Sequence, residues 1–136
     1  MQRFTIQVDT DGNNDIINLQ QDIRQKISSA TGDGVVCLFV VGSTAALTTL
    51  EFETGLVKHD MPKVLQRLVP DDARYEHEAT WNDDDGHSHI RAALVGPSIT
   101  VPFANGRLLT GEYQQVVLID FDTRARRRKV ICTVLV

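Results

Sequence analysis

The densest run of reactive side chains is Asp83-Asp84-Asp85-Gly86-His87-Ser88-His89, with His77 shortly upstream; three of the four histidines fall within 13 residues. Imidazoles beside carboxylates suit a divalent cation. If His87 and His89 lie on a strand, they share a face, because successive strand side chains alternate. With Asp84 and Asp85 they then form a candidate set for magnesium or zinc, completed by ligands from elsewhere, since a zinc site takes three or four protein ligands. The bland reading is a surface loop with hydrogen-bonded histidines. His89 also suits general acid–base work, because a free imidazole titrates near neutrality.

Other residues can do chemistry singly. Gly42-Ser43-Thr44 interrupts two strand-like runs, and a glycine before two hydroxyls can present backbone amides and hydroxyls to an anion. No Gly-Lys-Ser/Thr follows, so it is not a nucleotide P-loop; its structural reading is a bulge or bend. Glu51 and Glu53 share a face if their strand continues. Asp60 suits a helix N-cap, and Gln114 an edge hydrogen bond. Trp81, the only tryptophan, is either a stacking or lid residue or an anchor packed on the core. Five bases at Arg124, Arg126, Arg127, Arg128 and Lys129 read as a hairpin turn, solvated or phosphate-holding. Cys37 and Cys132 sit in apolar runs and read as small buried hydrophobes.

The elements that must position these groups follow from periodicity. Arg3–Val8 alternates, as a half-buried strand does. Ile16, Leu19, Ile23 and Ile27 mark one face of a helix over Asp15–Ala30, capped by Asn13 or Asn14. Val35–Val41 and Ala46–Phe52 read as strands. A second helix spans His59–Val69, with Pro62 in its first turn and Pro70 ending it. Asp71–Gly86 has little periodicity and reads as a long loop; it holds seven of the 18 acidic residues. After Gly86 the chain reads as all β: His89–Val95, Ser98–Phe103, Arg107–Leu109, Gln114–Phe121 and Lys129–Val136. Asn105-Gly106 is a two-residue hairpin signal. Strands with two segregated helices predict a single α+β domain over residues 1–136, mostly antiparallel.

Composition removes several classes. With 136 residues the chain is too short for a TIM barrel, which needs about 200, yet long enough for a real core. Fourteen basic residues against 18 acidic ones leave a charge of −4, the wrong sign for a dedicated nucleic-acid binder. No apolar run reaches the roughly 18 residues of a membrane span. Met1–Asp9 has no secretory apolar core, so a cytoplasmic location is expected.

Several ordered motifs carry a resemblance. They are Ser43-Thr44-Ala45-Ala46-Leu47-Thr48 with Glu51, Arg67-Leu68-Val69-Pro70, Tyr75-Glu76-His77, His89-Ile90-Arg91-Ala92, Gly96-Pro97-Ser98-Ile99-Thr100-Val101-Pro102 and Asn105-Gly106-Arg107-Leu108. Over Val41–Val134 the chain resembles the YjbQ family, small proteins described as secondary thiamine-phosphate synthases. The family's closing Gly-Thr-Trp-Gln reads here Gly111-Glu112-Tyr113-Gln114. Many members carry histidine where Gly42 stands, and many lack one at His87. The resemblance implies an α+β fold, a homotrimer and transfer of a pyrimidine methyl diphosphate onto a thiazole phosphate with loss of pyrophosphate. It points to His89, His77, Glu51 and Gln114 as shared catalytic residues, and to Ser43, Thr44 and Arg91 as phosphate ligands. Magnesium would be held by Glu51 and one of Asp83 to Asp85. The alternatives are an enzyme acting on another phosphorylated small molecule, or a non-catalytic metal- or ligand-binding homotrimer.

Overall fold

The computed structural model describes all 136 residues. The strands are β1 (Gln2–Thr10), β2 (Asp15–Asn18), β3 (Asp33–Val41), β4 (Ala45–Leu50), β5 (Ser98–Ala104), β6 (Arg107–Leu108), β7 (Gln115–Asp120) and β8 (Arg126–Leu135). The helices are α1 (Gln20–Ile27), α2 (Met61–Leu68), α3 (Glu76–Trp81) and α4 (Gly86–Val95), and a π-helical turn, Leu56–Asp60, leads into α2. The α+β, largely antiparallel architecture agrees with the sequence pattern. No helix is long and apolar enough to cross a membrane.

Two sheets form. One has the order β1-β8-β3-β5-β6, the other β2-β7-β4, and every pairing is antiparallel. Strand alternation then assigns each side chain a layer. Val116 and Leu118 of β7 join Val36, Leu38 and Val40 of β3, Val130 and Cys132 of β8 and Ile23 and Ile27 of α1 in a core between the sheets. Val117 and Ile119 face the other way, packing with Val57, Leu65 of α2 and Ala92 of α4. The small sheet is therefore buried on both faces. Removing a fully buried aliphatic side chain from water contributes about 1.5–3 kcal/mol.

Four expectations are corrected. Residues 15–18, read as the start of a long helix, pair with β7 instead, which puts Ile16 into the second core. The long acidic loop contains α3. His89–Val95 is helix rather than strand, so the C-terminal half is not all β. The basic run is not a hairpin turn, because β7 and β8 belong to different sheets and residues 126–129 already lie in β8. The Asn105-Gly106 turn is found as read: φ is +46° and +75°, and Phe103 pairs with Leu108 and Ala104 with Arg107 around it.

Candidate metal centre

Two short helices build the site. Asn82, left-handed at φ +53°, ends α3 and donates its amide to the Glu78 carbonyl at 2.7 Å. The chain then doubles back through Asp83–Asp85 into α4. Glu78 joins the two helix starts: its carboxylate accepts the Tyr75 amide at 3.1 Å and the Gly86 amide at 3.0 Å. The space is closed tightly, since a Cβ on Gly86 would lie 2.7 Å from both Glu78 Oε1 and Tyr75 Cβ.

This reversal converges four side chains. His77 Nε2 lies 3.1 Å from Asp85 Oδ1 and 3.3 Å from Asp83 Oδ1, and His89 Nε2 lies 3.5 Å from Asp85 Oδ2. The two imidazole centroids are 4.5 Å apart, nearly edge to face. The ligating atoms of His77, Asp85 and His89 all fall within 4.8 Å of one another. Close as they are, His77 Nε2, Asp83 Oδ1 and Asp85 Oδ1 are sealed from solvent with no well-directed hydrogen bond. Buried polar atoms are normally satisfied. Asp85 occupies the N-cap position of α4 but does not cap it; its carboxylate turns to the imidazoles. Two imidazoles with one or two carboxylate oxygens form a donor set suited to zinc or manganese, more than to magnesium, which prefers oxygen alone.

The residues singled out from sequence separate into four places. His77, Asp85 and His89 meet here. His87 does not: consecutive helical residues are about 100° apart, so i and i+2 diverge, where a strand would have aligned them. His87 is buried, its Nδ1 has no partner, and its ring lies 6.5 Å from that of Tyr75. Burial and the nearby Arg91 charge hold its pKa below the usual imidazole value. Asp84 accepts a hydrogen bond from Thr123 at 2.9 Å, outside the cluster. Asp83, one of the three aspartates offered as magnesium ligands on the resemblance, takes its place, 3.3 Å from His77.

Arg91 is not free for phosphate. It is 2% exposed; Nε and Nη2 donate to the Val69 carbonyl, Nη2 also to Gln66 and Nη1 to Asn14. It fastens α4 to the end of α2 and to the loop before β2. Thr44 is likewise internal: its hydroxyl donates to Asp122 at 2.9 Å and accepts from Arg128 at 2.6 Å. Arg128 grips Asp120 through Nε at 2.7 Å and Nη2 at 2.9 Å, and Thr10 donates to Asp120 at 2.6 Å. This buried network went unnoticed in the sequence, where its arginines belonged to a surface-like basic run. It also explains Gly42, at φ +137°, because a Cβ there would meet Arg128 Nη1 at 2.6 Å.

Ser43 stays available. It lines an open cleft of about 360 Å³ with Phe39, Gly42, Ala45, His89, Ala92, Ala93 and Pro97. His89 is the one titratable group in that mostly apolar wall, and it belongs to the metal cluster as well. Glu51 and Gln114 lie elsewhere. Gln114 donates to Thr49 at 3.0 Å and accepts the Gly111 amide at 2.9 Å, and the exposed Glu51 follows the half-buried end of β4. The five residue steps of β4 put about 17 Å between this end and the cleft.

The sequence model of the family described as "UPF0047 protein YjbQ-like" matches residues 4–136. A UPF0047 protein of Archaeoglobus fulgidus is 30% identical over 117 residues, covering 86% of this chain and 89% of that protein. UPF0047 protein YjbQ of Escherichia coli O157:H7 is 34% identical over 100 residues, 74% of this chain and 72% of its own length. Among solved structures, a hypothetical protein of Aeropyrum pernix K1 superposes with a TM-score of 0.89 at 24% identity, covering 99% and 98% of the two chains. An uncharacterized YjbQ/UPF0047 protein of Clostridium acetobutylicum gives 0.85 at 26% identity, covering 97% and 99%.

Proposed function

This chain belongs to the UPF0047 YjbQ-like family, and on that premise we propose that it is a metal-dependent enzyme of the thiamine-phosphate synthase type. One observation carries the reading: the convergence of His77, Asp85 and His89, with Asp83 beside them and His77 Nε2, Asp83 Oδ1 and Asp85 Oδ1 left unsatisfied, at the edge of a cleft of about 360 Å³. His77 and His89 would hold a zinc or manganese ion through Nε2, and Asp85 through its carboxylate. A divalent ion there neutralises negative charge on phosphate oxygens.

The rest falls to the chain's own groups. Ser43 can donate its hydroxyl to an oxyanion. Phe39, Ala92, Ala93 and Pro97 exclude water from one face of the ligand. Asp83 Oδ1, 3.3 Å from His77 Nε2, would add a carboxylate oxygen to the ion rather than a hydrogen bond to the ring. In the transfer, the methylene carbon–oxygen bond breaks with its electron pair going to the departing pyrophosphate, and the thiazole nitrogen's lone pair forms the new carbon–nitrogen bond. No proton crosses in that step, so His89 would act as a ligand to the ion rather than as a base.

A homotrimer belongs to the same proposal. Glu51 and Gln114 are too far from the cleft to serve it within one chain, and a neighbouring chain's copies can reach it. The deciding assay is thiamine-phosphate formation from both substrates with zinc, manganese or magnesium, run beside folded H89A. Wild-type turnover that disappears in H89A supports the reading. Equal rates, or none with any metal, overturn it.

A further inference from the structure

Trp81 stands beside the cluster in a way that folding does not explain. It is 71% exposed, which excludes the core anchor that was one reading of the sequence. Helix α3 buries no residue at all. What attaches α3 is Glu78, through the Tyr75 and Gly86 amides, together with the short hydrogen bond from the Tyr75 hydroxyl to the Pro70 carbonyl. Trp81 takes no part in any of these.

Its position is specific. Trp81 follows His77 by four residues in one helix, so the two share a face with Cβ atoms about 6 Å apart. Helical side chains lean toward the N-terminus, so the indole extends over the turn that carries His77. Asn82 and Asp83 come directly after it, and Asp83 belongs to the cluster. The cluster is partly open: the His77 and His89 side chains remain 30% and 33% exposed. A large aromatic face is left uncovered one helical turn from His77, whose Nε2 is unsatisfied.

We propose that Trp81 is a specificity residue, stacking on a planar ring of the molecule whose oxyanion lies at the His77–Asp85–His89 centre. The inference rests on the metal reading above and adds the ligand's shape to it: a flat ring joined to a phosphate. An indole provides a large rigid apolar face with few rotatable bonds, and stacking on such a face is sequence-tolerant but demands planarity.

Phenyl phosphate and methyl phosphate are suitable probes, because they share the phosphate and differ in the ring. Titration calorimetry on zinc-loaded wild type is expected to show phenyl phosphate binding about tenfold tighter, the stacking range for one ring. In W81A the two probes bind within about twofold of each other, while methyl phosphate and zinc bind as in wild type; W81F retains most of the preference. Zinc affinity is measured separately by competition with a chromogenic chelator. Zinc binding with equal affinities for the two probes in wild type, or a ring preference undiminished in W81A, overturns the role of Trp81 and leaves the metal centre standing. Absence of zinc binding overturns both.

Discussion

At the scale of single residues, the site turns on which groups are satisfied and which are not. Arg91 and Thr44 have suitable chemistry for an anion, yet every geometry around them is closed by protein partners. His77 and Asp85 are close to partners and still unsatisfied. The proposal therefore separates neighbours in the sequence. D85N or H77A should weaken zinc by at least tenfold, since even supporting residues around metal ligands are worth about 10–100-fold. D84N should leave zinc affinity unchanged, and calorimetry distinguishes the pair. A second prediction concerns acid. Burial pushes the Asp122 carboxyl up, but the Thr44 hydroxyl, the Arg124 amide and Arg126 outweigh it and leave the pKa below the ordinary value. A depressed carboxyl stabilises the fold above the unfolded pKa of about 4 and loses that contribution as pH falls through the folded value. Melting temperatures from pH 7 to 3 should fall at the acid end, and D122N should fall less steeply from a lower start. A D122N curve parallel to wild type would assign the acid sensitivity elsewhere.

At the scale of elements, α3 and α4 matter because they are short and depend on each other. Glu78 alone ties both starts. E78A should cost about 0.5–2 kcal/mol, the range for a lost helix-start cap, and should also weaken zinc, because Asp83 and Asp85 lie in the turn that Glu78 spans. Urea unfolding and calorimetry on the same variant test both halves; full metal affinity in E78A would show that the turn holds itself. These elements also mark the limit of what periodicity reveals. The strands and the Asn105-Gly106 turn were legible because apolar alternation matches their burial. Helix α4 was not, because its pattern is inverted. It buries Gly86, His87, Ser88 and Arg91 with only the small Ala92 among apolar residues, and exposes Ile90 and Leu94. The pairing of Arg91 with the Val69 carbonyl makes a polar buried face tolerable, so hydrophobicity misreports which side faces in. The structure brings together two of the three histidines singled out by type and overturns the strand pairing of His87 with His89, since a helix exchanges the i, i+2 pair for i, i+4. Asp85 and His89 stand at that second spacing, and the long reach to His77 depends on a helix reversal that no local pattern encodes.

At the scale of the whole molecule, the two faces of the larger sheet are unequal. One face packs on the shared core. On the other, Val35 and Cys37 of the central strand β3 are only partly covered, and Phe39 and Val41 are 48% and 46% exposed. Ile131 stands opposite Phe39, and Leu135 opposite Val35, so the apolar character continues across two strands. The small sheet has helices on its outer face and the large one has none. Phe39 also walls the cleft, so whatever covers this face approaches the site, while Glu51 and Gln114 lie at the far end of β4 from it. The proposed trimer would cover the apolar face and, on the proposed function, bring a neighbour's Glu51 and Gln114 toward the cleft. An association of this kind buries roughly 800 Å² from each partner, and a charge at its centre is costly when left unpaired. Val41 is the residue to change, because it lies on the stripe without lining the cleft. Light scattering after size-exclusion chromatography should give three chains for wild type and one for V41E, with zinc affinity retained in the monomer and turnover lost. That last pairing separates the two halves of the site: the metal set His77, Asp85 and His89 comes from one chain, while catalysis draws on a neighbour. A monomeric wild type, or a V41E monomer that turns over normally, would place the whole reaction within one chain and leave Glu51 and Gln114 without a part in it.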